Sequence, residues 1–316
     1  MENINEPEVT DTKITMLGKE ISSSQTFDDD PDNNVRYVGE NPDNYVYFNC
    51  SDYNNQNDST CEKWRIIGLF KNVTKADGAS SNLVKIIKND SIGDYLWDYR
   101  NENNKNYYTN NWSTSSLNKL LNQTYYNNTS GTYSNYGQDV VIDLNGKGLK
   151  NSTTKQMIAE VVWNIGSISP DSNDASRIYK LEHRDTTTGS NPLKWTGKIS
   201  LASVSDILYA SGNTENANHY SCAATYLRDY MSRDNDVINE CLNNYLYHNI
   251  SSLIGANTDD ESMTIFYLQN SNGKRTISTY GVTSKFATYP SLFLSNDVVI
   301  ISGNGTSDNP YQLGLK

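Results

Sequence analysis

The 316-residue sequence has 37 acidic and 26 basic side chains, a formal net charge of −11, and basic residues only in isolated pairs such as Lys274-Arg275. This charge pattern argues against nucleic acid and anionic membranes as partners, because both are bound through clustered Lys and Arg. The 23 tyrosines argue against disorder, and the abundance of uncharged Asn, Ser and Thr predicts a β-rich domain with many loops.

Residues 1–35 are acidic and polar, with one short apolar patch at 14–18, and we interpret them as a tether or assembly segment containing one short strand. No stretch has the pattern of a signal peptide, and none is apolar for long enough to span a bilayer. We therefore expect an export or anchoring segment upstream. Residues 36–316 are predicted to form a single α+β domain.

Short runs of β-branched and aromatic residues predict the strands of this domain. They lie at residues 45–48, 64–70, 83–87, 199–202, 264–268, 275–277 and 292–294. The dipeptide Asn272-Gly273 lies between two of these runs and predicts a tight hairpin turn. Asp77-Gly78 predicts a second turn, between the runs at 64–70 and 83–87.

Capping patterns and helical spacing of apolar residues predict two to three helices. The first begins at Trp112 and ends near residues 127–128. The second begins with a capping box at Thr153 and ends at Gly166. The third is more polar and lies within residues 222–241.

The four cysteines form two close pairs, Cys50/Cys61 and Cys222/Cys241, and each pair flanks a polar segment. Neither pair has Cys-x-x-Cys spacing, and the chain has only 3 histidines, so a zinc site is disfavoured. Two local disulfides are favoured over four buried thiols in a cytosolic protein. Because disulfides persist outside the cytosol, we predict an extracellular or cell-surface location.

Six phrases occur along the chain in a fixed order: YVGENP (37–42), CEKWRIIG (61–68), VKIIKNDSIG (84–93), WTGKI (195–199), YPSLFL (289–294) and ISGNGTSDNPY (301–311). Their succession resembles a large family of uncharacterised secreted and surface proteins of gut Gram-positive bacteria (Firmicutes). The C-terminal part of that family resembles the C-type-lectin-like fold. The resemblance implies a mixed sheet with long exposed loops that bind ligands. The sequence departs from the family at 252–256, where SLIGA replaces a Trp-Leu-x-x-Pro segment.

The sequence contains no recognised catalytic motif. Nucleophilic catalysis needs a base beside Ser or Cys, but the chain has no Gly-x-Ser-x-Gly elbow, and we expect its histidines to be exposed surface residues. Glycoside hydrolysis needs only two carboxylates, so a glycan or cell-wall hydrolase is retained as an alternative. Its candidate acids lie near aromatic residues: Asp94, Asp98, Glu160 and Glu182.

The acidic run at 28–32 lacks the glycine and terminal glutamate of an EF-hand, and lectin-type calcium motifs are absent from the sequence. A solvated acidic turn is therefore favoured over a calcium site. We predict no metal site and no cofactor.

Segment 95–112 interleaves aromatic residues with Asn and Asp, a composition suited to stacking on sugar rings and to bonding their hydroxyls. We predict that it forms an exposed loop. The predicted ligand-contacting residues are Trp97, Tyr99, Tyr107 and Tyr108. The leading hypothesis is a non-enzymatic surface-displayed domain that binds a glycan or a host or cell-surface protein. A structural, pilin-like subunit that self-assembles into a surface filament is the main alternative.

Overall fold

The computed structural model describes residues 14–21, 25–102, 105–169, 173–184, 192–232, 236–257 and 264–316. Within these ranges the chain forms 23 strands: β1 (Ile14–Met16), β2 (Lys19–Ile21), β3 (Gln25–Thr26), β4 (Val35–Arg36), β5 (Tyr45–Phe48), β6 (Glu62–Thr74), β7 (Ser80–Lys88), β8 (Asp94–Leu96), β9 (Arg100–Glu102), β10 (Lys105–Tyr107), β11 (Ser130–Asn135), β12 (Gln138–Asp143), β13 (Val161–Asn164), β14 (Ser167–Ile168), β15 (Lys194–Gly197), β16 (Ile199–Ser200), β17 (Ser251–Asn257), β18 (Thr264–Ser271), β19 (Lys274–Gly281), β20 (Lys285–Ala287), β21 (Ser291–Phe293), β22 (Val298–Ser302) and β23 (Gln312–Leu315).

Seven short α-helices lie in the same described ranges: α1 (Ser116–Lys119), α2 (Ser152–Gln156), α3 (Ala175–Glu182), α4 (Val204–Tyr209), α5 (His219–Ala223), α6 (Leu227–Tyr230) and α7 (Asp236–Cys241). A 3₁₀ turn at Trp112–Thr114 precedes α1, and a π-helical stretch at Leu120–Tyr125 continues it. The protein is α+β and mostly sheet, as predicted.

The larger sheet has seven strands in the order β16-β21-β7-β6-β4-β3, and β5 pairs with another stretch of β6. Its central strand β6 shifts register against β7 between Ile66 and Gly68. At this point β4 approaches so closely that a Cβ on Gly68 would lie 2.2 Å from the carbonyl oxygen of Val35. Glycine is therefore required at Gly68, because a larger residue would push β4 off the sheet.

The second sheet is mixed and has six strands, in the order β19-β18-β17-β20-β8 with β14 paired to β17. β17 runs parallel to β14 and β20, whereas it pairs antiparallel with β18. The predicted hairpin turn is confirmed: Asn272 and Gly273 both have positive φ, 53° and 79°, and join β18 to β19. Asparagine and glycine adopt this backbone at the lowest cost.

The described part of residues 1–35 packs against the rest of the chain. β1 and β2 form a hairpin whose Met16 and Ile21 are buried, and the backbone N–H of Ile300 donates to the carbonyl of Leu17. β3 and β4 belong to the seven-stranded sheet. The predicted boundary at residue 35 thus falls inside a strand, and an assembly role for this segment stays a prediction.

The predicted first helix is confirmed by the 3₁₀ turn at Trp112–Thr114, α1 and the π-helical stretch to Tyr125. The number of helices differs from the expectation, since seven α-helices are present in the described ranges instead of two to three. The predicted second helix ends at Gln156, and its later apolar residues form strand β13, paired with β15. Val161 and Trp163 are buried on one face of β13 while Val162 and Asn164 are partly exposed. This alternation, together with β-branched side chains, favours a strand, and the helical spacing was misleading.

Candidate functional site

The predicted 95–112 loop is a short β-structure rather than an irregular loop. After β8, strands β9 and β10 form an antiparallel pair in which Tyr107 lies opposite Arg100. The neighbouring hairpin β11–β12 is bonded to it: Ser134 Oγ and the backbone N–H of Gly137 donate to the carbonyl oxygen of Tyr99, at 2.8 and 3.1 Å. Two hairpins therefore lie side by side.

Tyrosine rings cluster on these two hairpins. Tyr99 meets Tyr108 and Tyr136 edge to face, with ring centroids 5.8 and 5.9 Å apart. Tyr107, Tyr108 and Tyr136 are 43%, 41% and 52% exposed, while Tyr99 is half-buried. We call Tyr99, Tyr107, Tyr108 and Tyr136 the tyrosine surface. Its side chains combine apolar rings with phenolic hydroxyls, which is the composition of surfaces that bind polar ligands.

Asp98 fixes the chain on both sides of β9–β10. Its buried carboxylate accepts from Arg100 Nε at 2.8 Å, from the backbone N–H of Thr109 at 3.1 Å, and from the N–H and hydroxyl of Ser116 at 3.0 and 3.1 Å. Burial raises the pKa of Asp98, and the bonds from Arg100 and Ser116 oppose that rise. Through these hydrogen bonds the carboxylate connects the start of the β9–β10 hairpin, its end and the first turn of α1.

The four predicted ligand-contacting residues divide into two groups. Tyr107 and Tyr108 are exposed and Tyr99 supports Tyr108, but Trp97 is buried and packs against Trp112 at 4.9 Å between ring centroids. Trp97 belongs to the core and offers no face to a ligand. Tyr136 was not predicted from the sequence, although the Tyr136-Gly137 pair is a turn signal that places a side chain at a hairpin tip.

A second candidate site is a cavity of about 200 Å³ beside a buried group of charges. Arg36 Nε lies 2.7 Å from Asp30 Oδ2 and its Nη1 lies 3.4 Å from Asp206 Oδ1. Lys85 Nζ lies 2.5 Å from Asp206 Oδ2. We call Asp30, Arg36, Lys85 and Asp206 the ion-pair cluster. All four side chains are almost fully removed from solvent, so each charge depends on its partners.

Glu182, at the end of α3, lines the same cavity as Lys85 and Asp206. Its carboxyl accepts from the backbone N–H of Ser205 at 3.1 Å and from the Ser205 hydroxyl. Burial raises the pKa of Glu182 to about 7, so its protonated and ionised forms are both populated near neutral pH. A strongly perturbed carboxyl in a cavity is a signature of functional sites and of buried charge networks alike.

The prediction of exposed histidines is wrong. His219 is buried between aromatic rings, stacked on Phe27 with centroids 3.4 Å apart, and its Nδ1 donates to the carbonyl of Ser211 at 2.8 Å. His183 stacks on Tyr179 and His248 stacks on Tyr289. Burial lowers the pKa of His183 and lowers that of His248 to about 4.

Of the other candidate acids, Asp94 and Glu160 are exposed, and Glu160 pairs with Lys198 at 2.6 Å. In the acidic run 28–32, Asp30 is bonded to Arg36, while Asp32 accepts from the Tyr179 hydroxyl at 2.6 Å. No group of three or more metal-ligating side chains is present among the described residues. Asp30 and Asp32 are therefore already used by protein donors, while Asp29 Oδ1 is buried without a hydrogen-bond partner in the described part of the chain and lies 3.8 Å from His219 Nε2.

From this use of the acids we expect the melting temperature to be unchanged between millimolar calcium and excess chelator. A specific site filled a hundredfold above its dissociation constant would add about 2.7 kcal/mol of stability, which shifts a melting curve visibly. Differential scanning calorimetry in both buffers measures this. Magnesium at the same concentration is the control for ionic strength, and a calcium-specific upward shift would contradict the prediction.

Comparisons with known proteins returned nothing: no family model, no curated protein and no solved structure matches this chain. Both predicted disulfides are confirmed, Cys50–Cys61 and Cys222–Cys241. In the part of the chain that the structure describes, no helix is long and apolar enough to cross a membrane.

Proposed function

We propose that this chain is a non-enzymatic extracellular binding domain, displayed at a cell surface, whose tyrosine surface contacts a neutral carbohydrate. The observation that carries the proposal is the joint exposure of Tyr107, Tyr108 and Tyr136 on two hairpins that are bonded to each other. Large exposed aromatic residues grouped on a rigid support are typical of binding surfaces, whereas scattered single ones are not. The two disulfides support the extracellular location.

The chemistry of the tyrosine surface favours a polyhydroxylated ligand. Aromatic faces stack on the C–H faces of sugar rings, and phenolic hydroxyls exchange hydrogen bonds with sugar hydroxyls. The formal charge of −11 gives no electrostatic help toward an anion. Binding should therefore be weak and nearly independent of salt. The mixed six-stranded sheet, in which β8 is an edge strand, is compatible with the C-type-lectin-like architecture, which is the fold proposed here for this function.

Replacing Tyr107 and Tyr108 together by Ala is expected to raise the Kd for the bound glycan about tenfold or more. Each aromatic stacking contact contributes about 0.5–1.5 kcal/mol beyond burial, and both contacts would be lost. The melting temperature should change by only a few degrees, because exposed side chains contribute little to stability. A glycan and cell-wall polysaccharide array followed by titration calorimetry provides the measurement.

The matched control is the double variant Tyr226→Ala with Tyr280→Ala. These two tyrosines are 41% and 55% exposed and lie outside the tyrosine surface, so glycan binding should be retained. Equal loss of binding in both double variants would show that the tyrosine surface is not the site. A wild-type protein that binds no polysaccharide on the array would overturn the choice of ligand.

A further inference from the structure

One contact in the ion-pair cluster joins two reactive side chains from distant parts of the chain. Lys85 lies on β7, in the seven-stranded sheet, and Asp206 lies in the first turn of α4, 121 residues later. Lys85 Nζ and Asp206 Oδ2 are 2.5 Å apart, and the two side chains are only 6% and 1% exposed. An amine and a carboxyl group held in contact and shielded from bulk solvent are the reactants of amide formation.

The surroundings of Lys85 are apolar on one side. Its Nζ lies 5.3 Å from the ring centre of Trp163, 5.5 Å from that of Phe70 and 5.7 Å from that of Phe293. Aromatic rings at these distances stabilise the ammonium form of lysine. Burial opposes ionisation of Asp206, but the charges of Lys85 and Arg36 outweigh it and lower the pKa of Asp206, so the contact rests as an ion pair. One proton transfer across the contact gives the neutral amine and acid. The neutral amine is the form of lysine that acts as a nucleophile.

The second oxygen of Asp206 faces a fixed positive charge. Arg36 Nη1 lies 3.4 Å from Asp206 Oδ1, and the guanidinium is held in place by Asp30. Another nitrogen of Arg36, Nη2, is buried without a hydrogen-bond partner. When an amine adds to a carboxyl carbon, negative charge develops on the retained oxygen. A guanidinium at Oδ1 is placed to stabilise that charge.

A proton carrier lies at the same cavity. Glu182 borders the cavity with Lys85 and Asp206, and the charges of both residues act on its pKa, which burial raises to about 7. A carboxyl with a pKa near neutral can both donate and accept a proton during a reaction. The sequence pattern gave no indication of this grouping, because its members come from β4, β7, α3 and α4.

We propose that Lys85 and Asp206 form an intramolecular amide cross-link between β7 and α4, with Glu182, which lines the same cavity, as the proton carrier. Lys85 first passes a proton to Asp206. Nζ then attacks Cγ, and the N–Cγ bond forms while Oδ1 carries the negative charge opposite Arg36. The Cγ–Oδ2 bond breaks as Glu182 protonates the departing hydroxyl, which leaves as water. Nζ returns a proton to Glu182, so the step needs no oxidant or other co-reactant.

Such a cross-link would join the seven-stranded sheet to α4 through a bond that reducing agents do not break. It would also constrain the unfolded chain over the 121 residues between its ends. The inference is independent of the ligand proposed for the tyrosine surface, because the reacting groups lie in the core.

The decisive measurement is the mass of the intact wild-type chain after reduction and denaturation. We expect a mass lower than that of the sequence by one water, and a single branched peptide containing both Lys85 and Asp206 after proteolysis. Full sequence mass, with Lys85 and Asp206 recovered only in separate linear peptides, would show that the contact is an ion pair and overturn the proposal.

Variants separate the roles of the two partners and of Glu182. Lys85→Arg keeps the charge but removes the nucleophile and should abolish the water loss. Glu182→Gln keeps the shape and should slow cross-linking by about a hundredfold or more in freshly refolded protein, since general acid–base catalysis contributes about 10²–10⁴. Lys88 is a lysine on the same strand that pairs with Glu62. The control variant Lys88→Arg should therefore cross-link like wild type. Wild-type rates in Glu182→Gln would exclude its proton role.

Discussion

Replacing Arg36 by Met is expected to lower the free energy of unfolding by about 3–5 kcal/mol, the usual cost of removing one partner from a buried ion pair. Arg36 is 1% exposed and lies between two carboxylates, Asp30 and Asp206. Its guanidinium also packs on aromatic rings, with 4.5 Å to the ring centre of Tyr209 and 4.8 Å to that of Phe70. Met preserves part of this packing, so the loss measures mainly the uncompensated charge on Asp30, the carboxylate that the proposed cross-link leaves unreacted.

Urea denaturation at pH 7, read by circular dichroism, gives the free energy of unfolding for this comparison. The double variant Arg36→Met with Asp30→Asn should recover part of the loss, because it removes the stranded carboxylate of Asp30. Lys198→Met breaks a partly exposed pair with Glu160 and should cost less than about 1 kcal/mol. If Arg36→Met also lowers the free energy of unfolding by less than about 1 kcal/mol, charge pairing does not stabilise the ion-pair cluster.

The sheets were largely predictable from sequence because their strands are apolar, β-branched and bounded by turn residues. The prediction of β5, β6 and β7 needed only these local signals, and the Asn272-Gly273 turn defined β18 and β19. The helices were predicted less well, although the first is present from Trp112 to Tyr125. Each of the seven α-helices in the described ranges has eight or fewer residues, so few turns are available to reveal a period.

The candidate sites depended on long-range contacts that a single sequence does not encode as a pattern. Segment 95–112 was identified from composition, but the exposure of Tyr107 and the burial of Trp97 depend on how β8 and α1 pack. The ion-pair cluster joins β4, β7 and α4, and no spacing of charges along the chain indicates such a grouping. The local composition predicted the aromatic segment, but tertiary packing determines which of its residues are exposed to solvent.

Replacing Cys222 and Cys241 together by Ala is expected to lower the free energy of unfolding by about 3 kcal/mol. The bridge closes a loop with a sequence separation of 19, and in the chain-entropy account a loop of this size stabilises the fold by restricting the unfolded chain. It joins α5 to the end of α7. α7 in turn contacts β19 through Asn239, whose side chain accepts from the backbone N–H of Arg275 at 3.1 Å. The bridge therefore links the helices to the edge of the six-stranded sheet.

The second bridge provides an internal comparison, because Cys50–Cys61 has a sequence separation of 11 and lies in the hairpin between β5 and β6. Restriction of the unfolded chain alone predicts that removing Cys222–Cys241 costs about 0.5 kcal/mol more than removing Cys50–Cys61. Cys222 and Cys241 are fully buried, so reductant should leave their bridge intact in the folded protein and open it only on unfolding. Labelling of free thiols with and without urea tests this. If both cysteines are labelled rapidly in the folded, reductant-treated protein, the segment from α5 to α7 opens locally. The bridge would then stabilise the folded state directly rather than by restricting the unfolded chain.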